Sequence, residues 1–227
     1  MKTFMKLFTV VLIALFALSC KKTNETGFSL KFKATTTIPV VKKGVSAAGF
    51  TFTEALLGIK NIQIKREDET LNNGDTEYDY KANYIVDLLT GISTPPFGFE
   101  QFIPGTYNKF ESETAKLLTG GKSLSVKGSF TDPAGRTYNF EFATSAEIEF
   151  EFESDSSFVL TEGTVFDMLI NINLPLLFKG VDFSTATANA NGVILIDETS
   201  NNAILSAIKN NLDKATDMED EHDSNKH

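Results

Sequence analysis

Glu147-Ile148-Glu149-Phe150-Glu151-Phe152-Glu153 alternates carboxylate and hydrocarbon at every step. A strand sends successive side chains to opposite faces, so the stretch lays Ile148, Phe150 and Phe152 inward and four glutamates outward. A helix would scatter both sets around its axis. The heptapeptide therefore predicts a half-buried strand, in a sheet that is packed on one side and wet on the other.

The same period recurs on either side of it. Phe28-Ser29-Leu30-Lys31-Phe32-Lys33 alternates near the start of the chain, and Leu124, Val126 and Phe130 share a face with Gly128 between them. Asp132-Pro133-Ala134-Gly135 reads as a hairpin loop leading into Tyr138 to Phe142. Leu57 to Lys65 carries Ile59, Ile62 and Ile64, a spacing that breaks the alternation and predicts a bulge. Tyr84 to Leu89, Thr106 to Glu113 and Val193 to Ile196 supply further strands. Phe166, Met168, Ile170 and Ile172 have few charged neighbours, so that strand is expected to be buried on both faces. Leu174 to Lys179 has Pro175 near its start and Gly180 just after, the makings of one helical turn. About nine strands joined by short turns predict an all-β, mainly antiparallel sandwich.

The period changes only at the end. Ile204, Leu205, Ile208 and Leu212 form one stripe of a C-terminal helix, with Ser200 or Asn201 placed to cap it. The expected organisation is a signal over 1–19, a tether over 20–27, a sandwich over 28–198 and a helix over 199–216 packed upon it. The acidic remainder, 217–227, is expected to be disordered.

Lys2 and Lys6 precede an apolar run from Leu7 to Leu18, and Leu18-Ser19-Cys20 closes it. That is the layout of a secretory signal. Its end resembles the bacterial lipobox, whose cysteine is lipidated, by palmitate among other acyl chains, and becomes the first mature residue. The run is too short to span a bilayer, which takes about 20 apolar residues. Cys20 is the one cysteine of the 227 residues, so disulfides, thiol catalysis and cysteine metal cages are excluded once it is acylated.

Removing Lys2 and Lys6 makes a chain of net charge −9 more acidic still, which argues against nucleic-acid partners. His222 and His227 are the only histidines, both in the last few residues, so Ser-His-Asp hydrolysis and His-based zinc sites lack a part. Tryptophan, the best platform for stacking on sugars, is absent.

Candidate sites reduce to carboxylates. Glu147, Glu149, Glu151 and Glu153 lie about 7 Å apart along one face. That spacing suits a cation or partner patch, or the paired acids of a glycanase; a solvated face balanced by cross-strand lysines is the simpler expectation. Asp68, Asp75, Glu77 and Asp79, in the acidic turn-rich loop Glu67 to Asp79, offer oxygen ligands for calcium without EF-hand spacing. Asp87, Asp182 and Asp197 stand at strand or turn ends, where a carboxylate usually accepts hydrogen bonds from loop amides. His222 and His227, with Asp220, Glu221 and Asp223, offer at most a loose metal site.

Tyr84 to Gly91 (YIVDLLTG), Ile103-Pro104-Gly105-Thr106-Tyr107, Leu160-Thr161-Glu162-Gly163 and the Leu174 to Asp182 turn occur in that order. Together they resemble a family of Bacteroidetes-type lipoproteins defined only as a domain of unknown function. The resemblance covers roughly Phe28 to Lys214 and implies an immunoglobulin-like β-sandwich on an envelope lipoprotein, in the outer membrane. It implies no catalytic residue. In such bacteria an acidic stretch after the cysteine accompanies surface display; Lys21 and Lys22 stand there instead, leaving the membrane face open.

The expectation is a lipid-anchored, non-enzymatic binding or structural module without a cofactor. Its partners would be the membrane, through acylated Cys20, and an envelope protein or extracellular ligand. A solute-binding lipoprotein for glycan or calcium is the first alternative, and a paired-carboxylate glycanase the second.

Overall fold

The computed structural model describes residues 25–36, 49–66, 76–80, 82–97, 99–132 and 134–220; among these, the side chains of 76–80, 152–157, 213 and 217–220 are left out of the account. The signal, Cys20, His222 and His227 lie outside the described residues.

The molecule is all-β, two mixed sheets arranged as a sandwich with short helices at its C-terminal end. In chain order the strands are β1 (Gly27–Thr35), β2 (Gly49–Arg66), β3 (Thr76–Tyr80), β4 (Tyr84–Asp87), β5 (Ile92–Thr94), β6 (Glu100–Gln101) and β7 (Gly105–Thr114). They continue as β8 (Leu124–Thr131), β9 (Thr137–Thr144), β10 (Glu149–Leu160), β11 (Val165–Asn173), β12 (Val193–Ile196) and β13 (Thr216–Asp220). Helix α1 (Leu174–Leu177) follows β11; α2 (Asn202–Lys209) and α3 (Leu212–Ala215) precede β13. The small sheet runs β13-β11-β1-β6 and the large one β10-β7-β2-β8-β9-β12, with β3 and β4 also on β2 and β5 on β4.

Alternation decides the packing. Phe28, Leu30 and Phe32 of β1 stand beside Phe166, Met168 and Ile170 of β11 and form the inner face of the small sheet. Phe28 lies edge-on to Phe102, Tyr107, Phe158 and Phe166, with ring centroids 4.5–5.6 Å away, which joins the two sheets. At the other end Phe178, just past α1, packs its ring on Phe50, Phe140 and Phe142 of the large sheet. Asn173 caps α1 by accepting from the Leu176 amide at 3.3 Å, and Pro175 supplies the helical φ.

The bulge in β2 falls where the sequence places it. Its register against β7 shifts between Lys60 and Gln63, and Asn61 takes a left-handed φ of 52°. The hairpin over Asp132 to Gly135 and the strand Val193–Ile196 also form as expected.

The pairing is mainly antiparallel as expected; among the described residues two pairings are parallel, β1 with β11 and β9 with β12. Several other expectations are corrected. Thirteen strands appear among the described residues rather than about nine, because the short β5, β6 and β13 lack a hydrophobic alternation to announce them. β11 is buried on one face only, since Leu169 and Asn171 are half-exposed opposite Met168, Ile170 and Ile172. The acidic loop ends sooner, as Thr76–Tyr80 pairs with Ile62 to Arg66. Thr216–Asp220 is a strand on the free edge of β11, taking Thr216 from the expected helix and Asp217 to Asp220 from the expected disordered tail. The terminal helix breaks into α2 and α3 at Asn210-Asn211, where the Asn211 side chain donates through Nδ2 to the carbonyls of Leu177 and Lys179. The expected stripe survives the break: Ile204, Leu205, Ile208 and Leu212 are all buried. Asn201 occupies the cap position but makes no capping bond; its side chain ties Thr187 to Leu195 instead.

Gly128 of β8 is needed for close approach. A Cβ there would stand 2.1 Å from the Thr51 carbonyl oxygen, where β2 bulges between Phe52 and Glu54. Gly128→Ala is expected to cost about 1–3 kcal/mol by forcing the strands apart. Urea unfolding measures it; an unchanged midpoint would contradict this packing.

Candidate functional site

The wet face of the large sheet carries the charge. Glu151 of β10 stands opposite Glu111 of β7, and Glu149 opposite Glu113. Like charges in register repel. Lys109 resolves the first pair, its Nζ 2.7 Å from Glu151 and 2.5 Å from Glu111, and Lys65 of β2 adds a 3.3 Å contact to Glu111. The hydrogen bonds that Lys109 donates to Glu111, then to Glu151, push its ammonium pKa above the ordinary value. The same bond from Lys109 holds the Glu111 carboxyl below its own. Glu113 is met by Lys60 at 3.2 Å and Asn61 at 3.5 Å, and Lys127 meets Glu54 at 2.9 Å further along.

Within the expected patch, Glu147, Glu149 and Glu151 point outward, with Ile148 and Phe150 buried behind them. Glu147 lies 3.8 Å from Lys116. The side chain of Glu153 lies outside the described set, and its backbone pairs with Lys109. Cross-strand lysines thus stand where a bound cation would otherwise have to neutralise Glu111 and Glu151.

Asp68 and Asp75 lie outside the described residues; Glu77 and Asp79 have only their backbone placed, on β3. Among the described residues no group of three or more His, Cys, Asp or Glu is placed to hold a metal ion.

The isolated aspartates organise turns. Asp87 accepts from the amides of Leu89 and Thr90 at 2.9 and 3.3 Å. Asp182 accepts from Ser184 at 2.8 Å, and that bond lowers its pKa. Asp197 accepts from the Thr199 hydroxyl and amide, both at 2.7 Å, and from the Ser200 amide at 2.9 Å; burial pushes its carboxyl up, but these bonds prevail and hold it low.

Sequence reasoning missed Glu198. Its carboxylate accepts from the Lys122 ammonium, from Thr144 Oγ1 at 3.1 Å, and from Ser145 through N at 2.7 Å and Oγ at 3.0 Å. It thereby pins the turn after β12 to the end of β9. Partial burial pushes the carboxyl up; Lys122 and the Ser145 amide overcome that and hold it far below the usual carboxylate range. A glutamate between Asp197 and Thr199 carries no pattern that would mark it.

A shallow open groove of about 580 Å³ lies beside the ends of β1 and β11. Phe52, Leu89 and Leu169 give it apolar walls, and Lys33, Thr35 and Asn171 a polar side. Thr35 donates to Asn171 Oδ1 at 2.9 Å across the parallel pair. No helix among the described residues is long and apolar enough to cross a membrane.

Two outcomes are expected. Glu198 is held low in the folded chain, so its stabilisation is complete above the ordinary value of 4.5 and is lost as pH falls below it. Thermal melts from neutral pH down should show the native chain losing stability faster than Glu198→Gln; parallel curves would refute the assignment. Lys109→Met leaves Glu151 facing Glu111, so its melting temperature should fall at low ionic strength and partly recover near ~1 M salt.

Compared with known proteins, the chain matches no protein-family model, no curated protein and no solved structure, so its own residues must carry the functional reading.

Proposed function

We propose that the protein is a lipid-anchored envelope module of the Bacteroidetes lipoprotein kind, held through acylated Cys20 and acting by binding or scaffolding rather than catalysis. The observation that carries this is the position of the single cysteine, directly after a charged start and an apolar run. The described chain is consistent with such a tether: Glu25 and Thr26 enter at one end of the sandwich, where Thr26 Oγ1 accepts from the Gly163 amide at 2.6 Å.

The non-enzymatic part draws support from how the carboxylates are used. Glu111 and Glu151 share one lysine, Glu198 fixes two strand ends, and Asp87, Asp182 and Asp197 hold their own turns. A glycanase needs two acids in unlike surroundings facing one substrate. The groove at Lys33, Thr35 and Asn171 is the concave feature that suits a small solute. It lies toward the end of β1 remote from the tether.

Metabolic labelling with an alkynyl palmitate analogue tests the anchor. The native chain should take the label and fractionate with membranes, and Cys20→Ser should do neither. Equal labelling of both would sink the proposal. Protease treatment of intact against lysed cells then reports which face of the membrane carries the sandwich.

A further inference from the structure

At the end of the sandwich where Thr26 enters, large apolar side chains are left in solvent. Val159 is 62% exposed, Ile103 56%, Val165 43% and Phe99 43%. Backbone pairing gathers them around one strand end. Gly27 stands between Val165 on one side and Gln101 on the other, and the Phe99 ring covers its α-carbon. The Phe102 amide donates to the Thr26 carbonyl at 3.0 Å, which fixes Ile103 next to it. Val159 and Val165 flank a cleft of about 270 Å³ where the chain crosses from β10 in the large sheet to β11 in the small one, lined also by Phe158 and Phe166. The core explains Phe158 and Phe28 behind this surface; nothing in the fold requires its outer residues to be apolar.

We propose that this end is a membrane-facing surface, with Phe99, Ile103, Val159 and Val165 seated at the headgroup boundary of a bilayer of low net charge. The placement rests on the anchoring proposed above. Five residue steps separate Cys20 from Glu25, a reach of at most about 18 Å even when fully extended. An acylated Cys20 therefore brings this end, and no other, against the lipid. Exposed carboxylates at Glu25, Glu100 and Glu162 rim the patch. With Lys21 and Lys22 directly after Cys20, they leave this end close to neutral, which suits a zwitterionic surface.

The chain has no tryptophan, so one introduced indole is a clean reporter. The lipidated full chain, carrying Val159→Trp or Ile103→Trp, is reconstituted into phosphatidylcholine vesicles with brominated acyl chains. Ile92→Trp, at an equally exposed site (66%) beside the far end of β1, serves as the control. Fluorescence at V159W and I103W should be quenched by about half relative to unbrominated lipid, with I92W almost unaffected, as expected for side chains at the acyl boundary. Unquenched V159W and I103W on protein that still sediments with vesicles would overturn the placement and leave the anchor standing. Protein that fails to sediment overturns both.

Discussion

The parallel pairing of β1 with β11 is the interaction on which the rest of the structure depends. It aligns Gly27–Thr35 with Val165–Asn173 over nine residues and so creates the inner face of the small sheet. Without it, Phe28 and Phe32 have no sheet to stand in, and the large sheet has nothing to cover Tyr107, Phe110 and Phe150. A chain without a cross-linking disulfide must close itself by packing. Here closure is an aromatic cluster centred on Phe28 at one end and another centred on Phe178 at the other.

Charge plays a complementary part on the wet side. An acidic chain that forms a wide sheet brings carboxylates into register, and the sheet tolerates this because lysines on neighbouring strands reach diagonally between them. Lys109 and Lys65 do for the sheet face what Lys122 does for the Glu198 turn. Part of the acidity is thus a structural resource: Glu111, Glu113, Glu151 and Glu198 meet lysines, and Asp87, Asp182 and Asp197 are satisfied by amides of their own loops.

The core was largely legible because alternation is a local property. Ile148 and Phe150, Leu124 and Val126, and the isoleucine break at Asn61 could all be read directly, and so could the buried stripe of α2 and α3. Strand direction could not be read, since alternation is the same in parallel and antiparallel pairs. β3 and β13 escaped for a different reason. Thr-Glu-Tyr-Asp-Tyr and Thr-Asp-Met-Glu-Asp look like loop and tail, and only a partner edge makes them strands. Of the site residues, the turn aspartates were foreseen from their flanks, whereas Glu198 gains its role from Lys122 and Ser145, distant in sequence.

The separation between β1 and β11 also governs how the chain reaches its native state. β1 is made early, but the Asn171 that bonds to its Thr35 follows 136 residues later. The large sheet can grow meanwhile by hairpins such as β8–β9, while Phe28, Leu30 and Phe32 wait without a partner. Loop closure over that distance is entropically slow, and long-range parallel pairing is a late event in folding. The small sheet is thus the last part to assemble, and its waiting strand is the segment most in need of protection from other chains.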